Sequence, residues 1–302
     1  MAIIRPIFKW VKALLLIKRE TMNKQSQKSG NNSTNVQAGN IIVHQGLTYS
    51  EVKKIALDVF KANFYELVAK AQETAKQRAE EITEDFLQKL QKENPNGFLK
   101  SEDPDFQYAL FTVQKEYARN GDKELGDLLV DLLVDRSKQE QRNILQIVLN
   151  ESLHVAPKLT SDQLSSLAVI FLLRYTANKQ INDHVNLGKY LDRYLEPFVK
   201  NISKSESCYQ HLEYSGCGSV DVTRLLLEES LQRNYQSLFN KMNNVEIQEK
   251  CIEIRPYMKQ VFDTWSKSSM KNFKLTSVGI AIGHANIKRL CGEYGDLSTW
   301  IK

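Results

Sequence analysis

Cysteine is scarce in this chain, with four in 302 residues, at positions 208, 217, 251 and 291. Their spacings of 9, 34 and 40 fit no zinc template, which needs close pairs, and they read as reduced thiols of a cytoplasmic protein. Missing too are a Walker-type phosphate loop, a glycine-rich dinucleotide fingerprint, an HExxH pair and a nucleophile elbow. No catalytic, cofactor-binding or metal-binding residue is therefore assigned, no cofactor is expected, and the enzyme question leans towards no.

A basic surplus is also lacking once its location is considered. The formal net charge is +5, but Arg5, Lys9, Lys12, Lys18 and Arg19 against Glu20 place +4 of it in the first twenty residues. The rest is nearly neutral, so the chain shows no strong nucleic-acid signal, because a surface that tracks phosphates carries its excess on the folded domain.

Residues 1–21 lack an uninterrupted apolar run of spanning length. On a helix, Arg5, Lys9 and Lys12 form one stripe opposite Ile3, Ile7, Trp10, Val11 and Leu14. That pattern suits a helix lying on an anionic membrane across residues 3–17, with peripheral membrane association if these residues are translated. The competing readings are a start at Met22, where composition changes abruptly, and an ordinary packed helix.

Charge of either sign is absent from Ser29 to Gly46, SGNNSTNVQAGNIIVHQG, which holds four asparagines, three glycines and two glutamines. Asn and Gly favour turns, and Val36 and Ile41 to Val43 favour strand. A lone short strand is not stable by itself. The stretch is a linker, an added strand on a partner protein, or a stack of copies in which amide side chains form ladders and no charge repels. The candidate assembly or partner-binding residues are Asn31, Asn32, Asn35, Val36, Gln37, Asn40, Ile41 and Val43.

Beyond Gly46 the pattern is helical. Thr48 and Glu51 form a capping box, and no breaker occurs before Pro95, so the pattern predicts an amphipathic helix over residues 48–94 of about 45 residues and roughly 65 Å. Its stripe requires either the downstream domain or a second copy in a coiled coil. Further helices are expected at 104–120, 122–137, 140–154, 161–178, 183–202 (ending or kinking at Pro197), 222–241, 245–254, 257–272 and 277–290, with short strands at 40–44 and 274–276. The expected class is all-α: a long N-terminal helix and a multi-helix bundle, preceded by a short Asn/Gly-rich β segment. The expected divisions are 1–21, 22–47, 48–94, 104–204 and 205–302, with Ser203–Val220 as the internal boundary.

Within the bundle, the weak chemical candidates are Cys208, His211 and Cys217, since a Cys/His pair can make a thiolate nucleophile. Asp127, Asp131 and Asp135 share one helical face, which reads as solvated. His154 and His284 read as capping or packing residues, and the small residues Gly279, Ala281, Gly283 and Ala285 as close helix packing.

Ser29–Leu87 resembles the amino-terminal module of an uncharacterised bacterial protein family in which a GxNSxNxQAG segment precedes a GLTYSEV helix start. The Asn/Gln/Gly core is similar, more loosely, to bacterial amyloid-signalling motifs. DKELGDLLVDLL (122–133) and LTSVGIAIGHAN (275–286) resemble helical abortive-infection-type proteins. The resemblance implies a bacterial cytoplasmic protein of phage defence or another conflict system, and it brings no catalytic residue. The expected function is a non-enzymatic adaptor or effector that forms a homo-oligomer or docks a protein partner through its N-terminal strand. The alternatives are a nuclease-like toxic enzyme in 205–302 and a membrane-surface effector acting through 3–17.

Overall fold

A computed structural model describes residues 47–63 and 69–302. The Asn40–His44 strand, the eight assembly candidates and the basic segment 3–17 lie outside the described residues.

The Thr48–Glu51 box closes as expected. The Glu51 carboxylate accepts from the Thr48 backbone N–H at 2.8 Å, and the Thr48 hydroxyl accepts from the Glu51 N–H at 3.4 Å. Helix α1 (Tyr49–Asn63) comes next, then α2 (Ala69–Glu93). They are not one rod. The Tyr49 hydroxyl donates to Glu84 at 2.5 Å and Lys53 Nζ meets the same carboxylate at 2.5 Å. A continuous helix would hold residues 49 and 84 about 50 Å apart. The two helices thus pack as an antiparallel hairpin, and the apolar stripe finds its partners within this chain: Val52, Ala56, Ile82, Phe86, Leu87 and Leu90 join the main core.

After a 3₁₀ segment (Pro95–Glu102) come α3 (Pro104–Asn120), α4 (Lys123–Ser137) and α5 (Ile144–Val155). Each starts on a side-chain cap: Asp103 accepts from Asp105 N, Asp122 from Leu125 N and Asn143 from Gln146 N. Gly121, at φ 68°, ends α3 in the left-handed region that suits glycine.

Helix α6 (Ser161–Ile170) opens on a Thr160/Gln163 capping box and passes into a π-helical turn (Phe171–Tyr175), three residues short of the expected end. The reason lies in side-chain donors, all but Thr176 from distant parts of the chain. The carbonyls of Leu172, Leu173, Arg174, Tyr175 and Thr176 accept from Thr176 Oγ1, Ser230 Oγ, Arg233 Nη2, Trp300 Nε1 and Asn234 Nδ2. With these acceptors engaged by side chains, the chain turns away instead of continuing the helical ladder.

The remainder comprises α7 (His184–Tyr194), α8 (Glu196–Val199), α9 (Glu206–Tyr214), β1 (Gly218–Val220), α10 (Leu227–Asn234), α11 (Gln236–Phe239), α12 (Asn244–Ile254), α13 (Met258–Lys267), β2 (Phe273–Leu275) and α14 (Ser277–Cys291). Strands β1 and β2 pair antiparallel, Ser219 opposite Lys274. The all-α class holds, with only this small ribbon among the described residues.

Gly46–Lys302 is one compact unit. Ser203–Val220, read from sequence as a boundary, instead carries α9 and β1, with Cys208, Tyr209, Leu212 and Cys217 buried in the core. At its centre α14 packs on α4, α5 and α6. The small residues explain the fit: a Cβ on Gly279 would lie 1.9 Å from the Cys217 carbonyl oxygen, and one on Gly283 would lie 3.0 Å from that of Leu167. Among the described residues no helix is long and apolar enough to cross a membrane.

Candidate functional site

The sequence candidates Cys208, His211 and Cys217 do not assemble into a nucleophile. Cys208 and Cys217 are buried, and burial pushes both thiols up, Cys217 to about 12. A reactive cysteine needs the opposite shift. His211 Nδ1 faces Gln163 Nε2 at 2.9 Å, and the same amide nitrogen donates to the Cys208 carbonyl at 3.1 Å, so Gln163 ties α9 to α6. This is a packing arrangement at the start of α9.

The dense chemistry lies elsewhere, where α2, α4 and α14 meet. Asp131 and Asp135 of α4, expected on a solvated face, are buried, Asp131 completely. That expectation is corrected by the composition of the helix: Leu125, Leu128, Leu129, Val130, Leu132, Leu133 and Val134 surround the axis, and a helix apolar on nearly every side has no solvent face to offer. Only Asp127 stays near the surface, 3.2 Å from Lys123.

Three lysines answer three carboxylates in this interior. Lys288 Nζ on α14 lies 2.8 Å from Glu93 Oε2, 3.1 Å from Asp135 Oδ1 and 3.4 Å from Asp131 Oδ1. Lys89 reaches Asp131 Oδ1 at 2.6 Å, and Lys138 reaches Asp135 at 2.7 Å and Glu93 at 3.7 Å. The lysines differ in depth: Lys288 has a side chain only 12% exposed, while Lys89 and Lys138 are 29% and 40% exposed. Lys288 is the central cation and the other two approach from the rim.

The two aspartates titrate in opposite directions. Burial pushes Asp131 above its ordinary value, outweighing Lys89 and Lys288. Both ammoniums meet the same oxygen, Oδ1, and Oδ2 is buried without a hydrogen-bond partner. Burial acts on Asp135 likewise, but Lys288 and Lys138 outweigh it and hold the carboxyl below its usual range. The same carboxylates raise Lys288 well above an ordinary lysine, overcoming its own burial.

One turn before Lys288, His284 is pushed below its ordinary value, chiefly by burial. Its Nε2 donates to the Gly295 carbonyl at 2.5 Å, fixing the tail beyond α14, while Nδ1 is buried without a partner. Phe171, Tyr294 and Trp300 surround the ring at 5.7–6.0 Å between centroids. His284 is a packing residue, as expected. His154, also read as capping or packing, lies beside Tyr108 at 5.9 Å.

Chemically, the cluster is a closed neutral set of three anions and three cations joining the start, middle and end of the folded unit. Three carboxylates converge on Lys288 Nζ, the position a cation would take, and an ammonium fills it. Among the described residues no group of His, Cys, Asp and Glu is arranged to hold a metal ion. Sequence reading noted the three aspartates but missed Lys89, Glu93, Lys138 and Lys288; the usable signal was the lack of any polar face on α4.

Residues 46–242 and 238–301 match the model of one protein family, whose description reads only ":-like". No curated protein and no solved structure matches the chain.

Proposed function

We propose that this chain, which belongs to the ":-like" family through nearly all of its folded unit, is a non-enzymatic adaptor or effector. In this reading Gly46–Lys302 is a rigid carrier and the preceding segment mediates association with further copies or with a partner protein. The single observation that carries the reading is the eighteen-residue stretch Ser29–Gly46, without one charged side chain, placed one residue before the capped start of α1. A charge-free run of Asn, Gln, Gly and β-branched residues is the composition that stacks in register, and its attachment to a helix docked in the carrier would pass assembly directly to the folded unit.

The interior chemistry is consistent with a carrier. The buried ions pair with one another, and burial pushes the thiols of Cys208 and Cys217 up, away from the reactive thiolate. Phage defence is the setting that the sequence resemblance implies. The test is light scattering coupled to size exclusion on the full chain beside the same chain lacking Ser29–Gly46. The reading expects a large assembly that collapses on deletion, and an unchanged mass removes it.

A further inference from the structure

We propose that the outward face of α3 and α5 is a docking surface for a basic amphipathic helix of a partner protein. The two helices lie side by side and parallel: Asp105, in the first turn of α3, meets Gln146 and Asn150 of α5, and the Tyr108 ring, one turn on, lies 5.9 Å from that of His154. Tyr108 is 59% exposed, and Ile144 and Ile147 of α5 are 49% and 39% exposed. The two isoleucines stand three residues apart on one side of the helix, with Glu151 one further turn along. The folded unit gains little from them in these places. Isoleucine forms helix less readily than alanine or leucine, and an exposed pair adds nothing to the core.

Beside these apolar groups stands a carboxylate held in place from below. Asp105 Oδ2 accepts from Arg136 Nη2 at 2.5 Å, Gln146 Nε2 at 3.0 Å and Asn150 Nδ2 at 3.1 Å. Its other oxygen, Oδ1, accepts among the described residues only from Asn150 Nδ2, at 3.4 Å. The Arg136 side chain is 1% exposed and that of Asp105 49%, so the group that an incoming protein meets is the carboxylate. Three donors already fix it, and an acceptor fixed in advance loses little freedom on binding.

Charge selects the occupant. Helix α5 contains no Lys or Arg, and Glu151 is its one acid; over residues 104–111, the first two turns of α3, Asp105 is the one charged residue. The exposed cations that flank α5, Arg142 and Lys158, lie beyond its two ends. The face therefore offers apolar contacts beside two carboxylates, and its complement is an apolar stripe bordered by Lys or Arg. Ile144, Ile147 and Glu151 recur at the turn of a helix, which suits the i, i+3, i+7 anchors of a helix laid along them. A second copy docking this face by two-fold symmetry would set the carboxylates against each other, and an anionic membrane would repel them likewise.

The experiment follows the fluorescence anisotropy of a labelled synthetic helix of leucine and lysine, about 18 residues long, and of its leucine and glutamate counterpart, each titrated with the full chain. The lysine peptide should bind at least about tenfold more tightly. Ile144→Ser with Ile147→Ser should weaken that binding by about tenfold, and Tyr108→Ala, on the other helix, should weaken it as well. Glu151→Lys should narrow the preference between the two peptides. Val222→Ser with Val245→Ser, an apolar pair exposed on other elements, should change neither. Equal binding of the two peptides, or none by either, overturns the proposal. So does a double isoleucine variant that binds like the parent, or one whose assembly mass falls with no peptide present, which would give the face to a second copy. Removing Ser29–Gly46 should leave peptide binding intact, so this proposal and the association of that segment fail separately.

Discussion

Replacing Lys288 with Met removes the central cation of the buried cluster while keeping an unbranched apolar stem in its place. Three carboxylates then face two lysines, both nearer the rim. At an effective dielectric of about 20, one carboxylate 3.1 Å from the ammonium contributes roughly 5 kcal/mol of gross attraction, and desolvation of the ammonium offsets much of the total. Breaking such buried sets by removing one member costs about 3–5 kcal/mol, because the remaining charges are left unpaired. For a folded unit of this size each kcal/mol is worth about 2–4 °C, so the midpoint should fall by about 10 °C in calorimetry. Two further measurements identify the cause. Adding Asp135→Asn, which removes the carboxylate whose charge Lys288 chiefly holds, restores two against two and should recover at least half of the loss. Lowering the pH into the carboxylate range should narrow the gap to the unaltered protein, since protonation discharges the orphaned acids. A Lys288→Met midpoint within about 2 °C of the parent would refute the view that this ammonium closes the cluster.

The two aspartates should separate on neutral substitution at pH 7: Asp135→Asn lowers stability by about 2–4 kcal/mol because its charge is held by Lys288 and Lys138, while Asp131→Asn costs markedly less because burial already disfavours its charge; equal urea midpoints would contradict this. His284 has its folded pKa depressed, so the unfolded chain takes up a proton first as pH falls below about 6.5. Stability is therefore fully present above that value and declines through the window down to the folded pKa, and His284→Gln should flatten that part of a urea-midpoint profile. Gly279→Ala would drive a Cβ against the Cys217 carbonyl. It should cost about 1–3 kcal/mol in chemical denaturation, as overpacking does.

Much of the helical order was legible because its signals are local. Pro104–Asn120 was bounded by its own Asp, Pro and Gly, and the caps at Thr48, Asp122 and Thr160 act within a few residues of themselves. What could not be read is tertiary. The break between α1 and α2 is announced by no glycine or proline, only by Asn63 at the end of α1, and the two helices are held together by groups 35 and 31 residues apart at Glu84. The early end of the α6 segment depends on Ser230, Arg233, Asn234 and Trp300, all far along the chain. Strand β1 exists because β2 pairs with it. For the site, three aspartates at fourfold spacing were visible, but helix periodicity alone does not reveal that lysines from two other helices will meet them.

Association of an otherwise inert carrier through the uncharged segment before α1 is tested most directly by keeping the chain length and inserting charge. Asn35→Lys with Ile41→Lys would be compared with the unaltered full chain by light scattering. Stacked copies would bring each new cation next to its equivalent in the neighbouring chain, so the expected result is loss of the large species while the thermal midpoint of Gly46–Lys302 stays unchanged. An assembly of the same mass with the lysines in place would contradict that role for the segment.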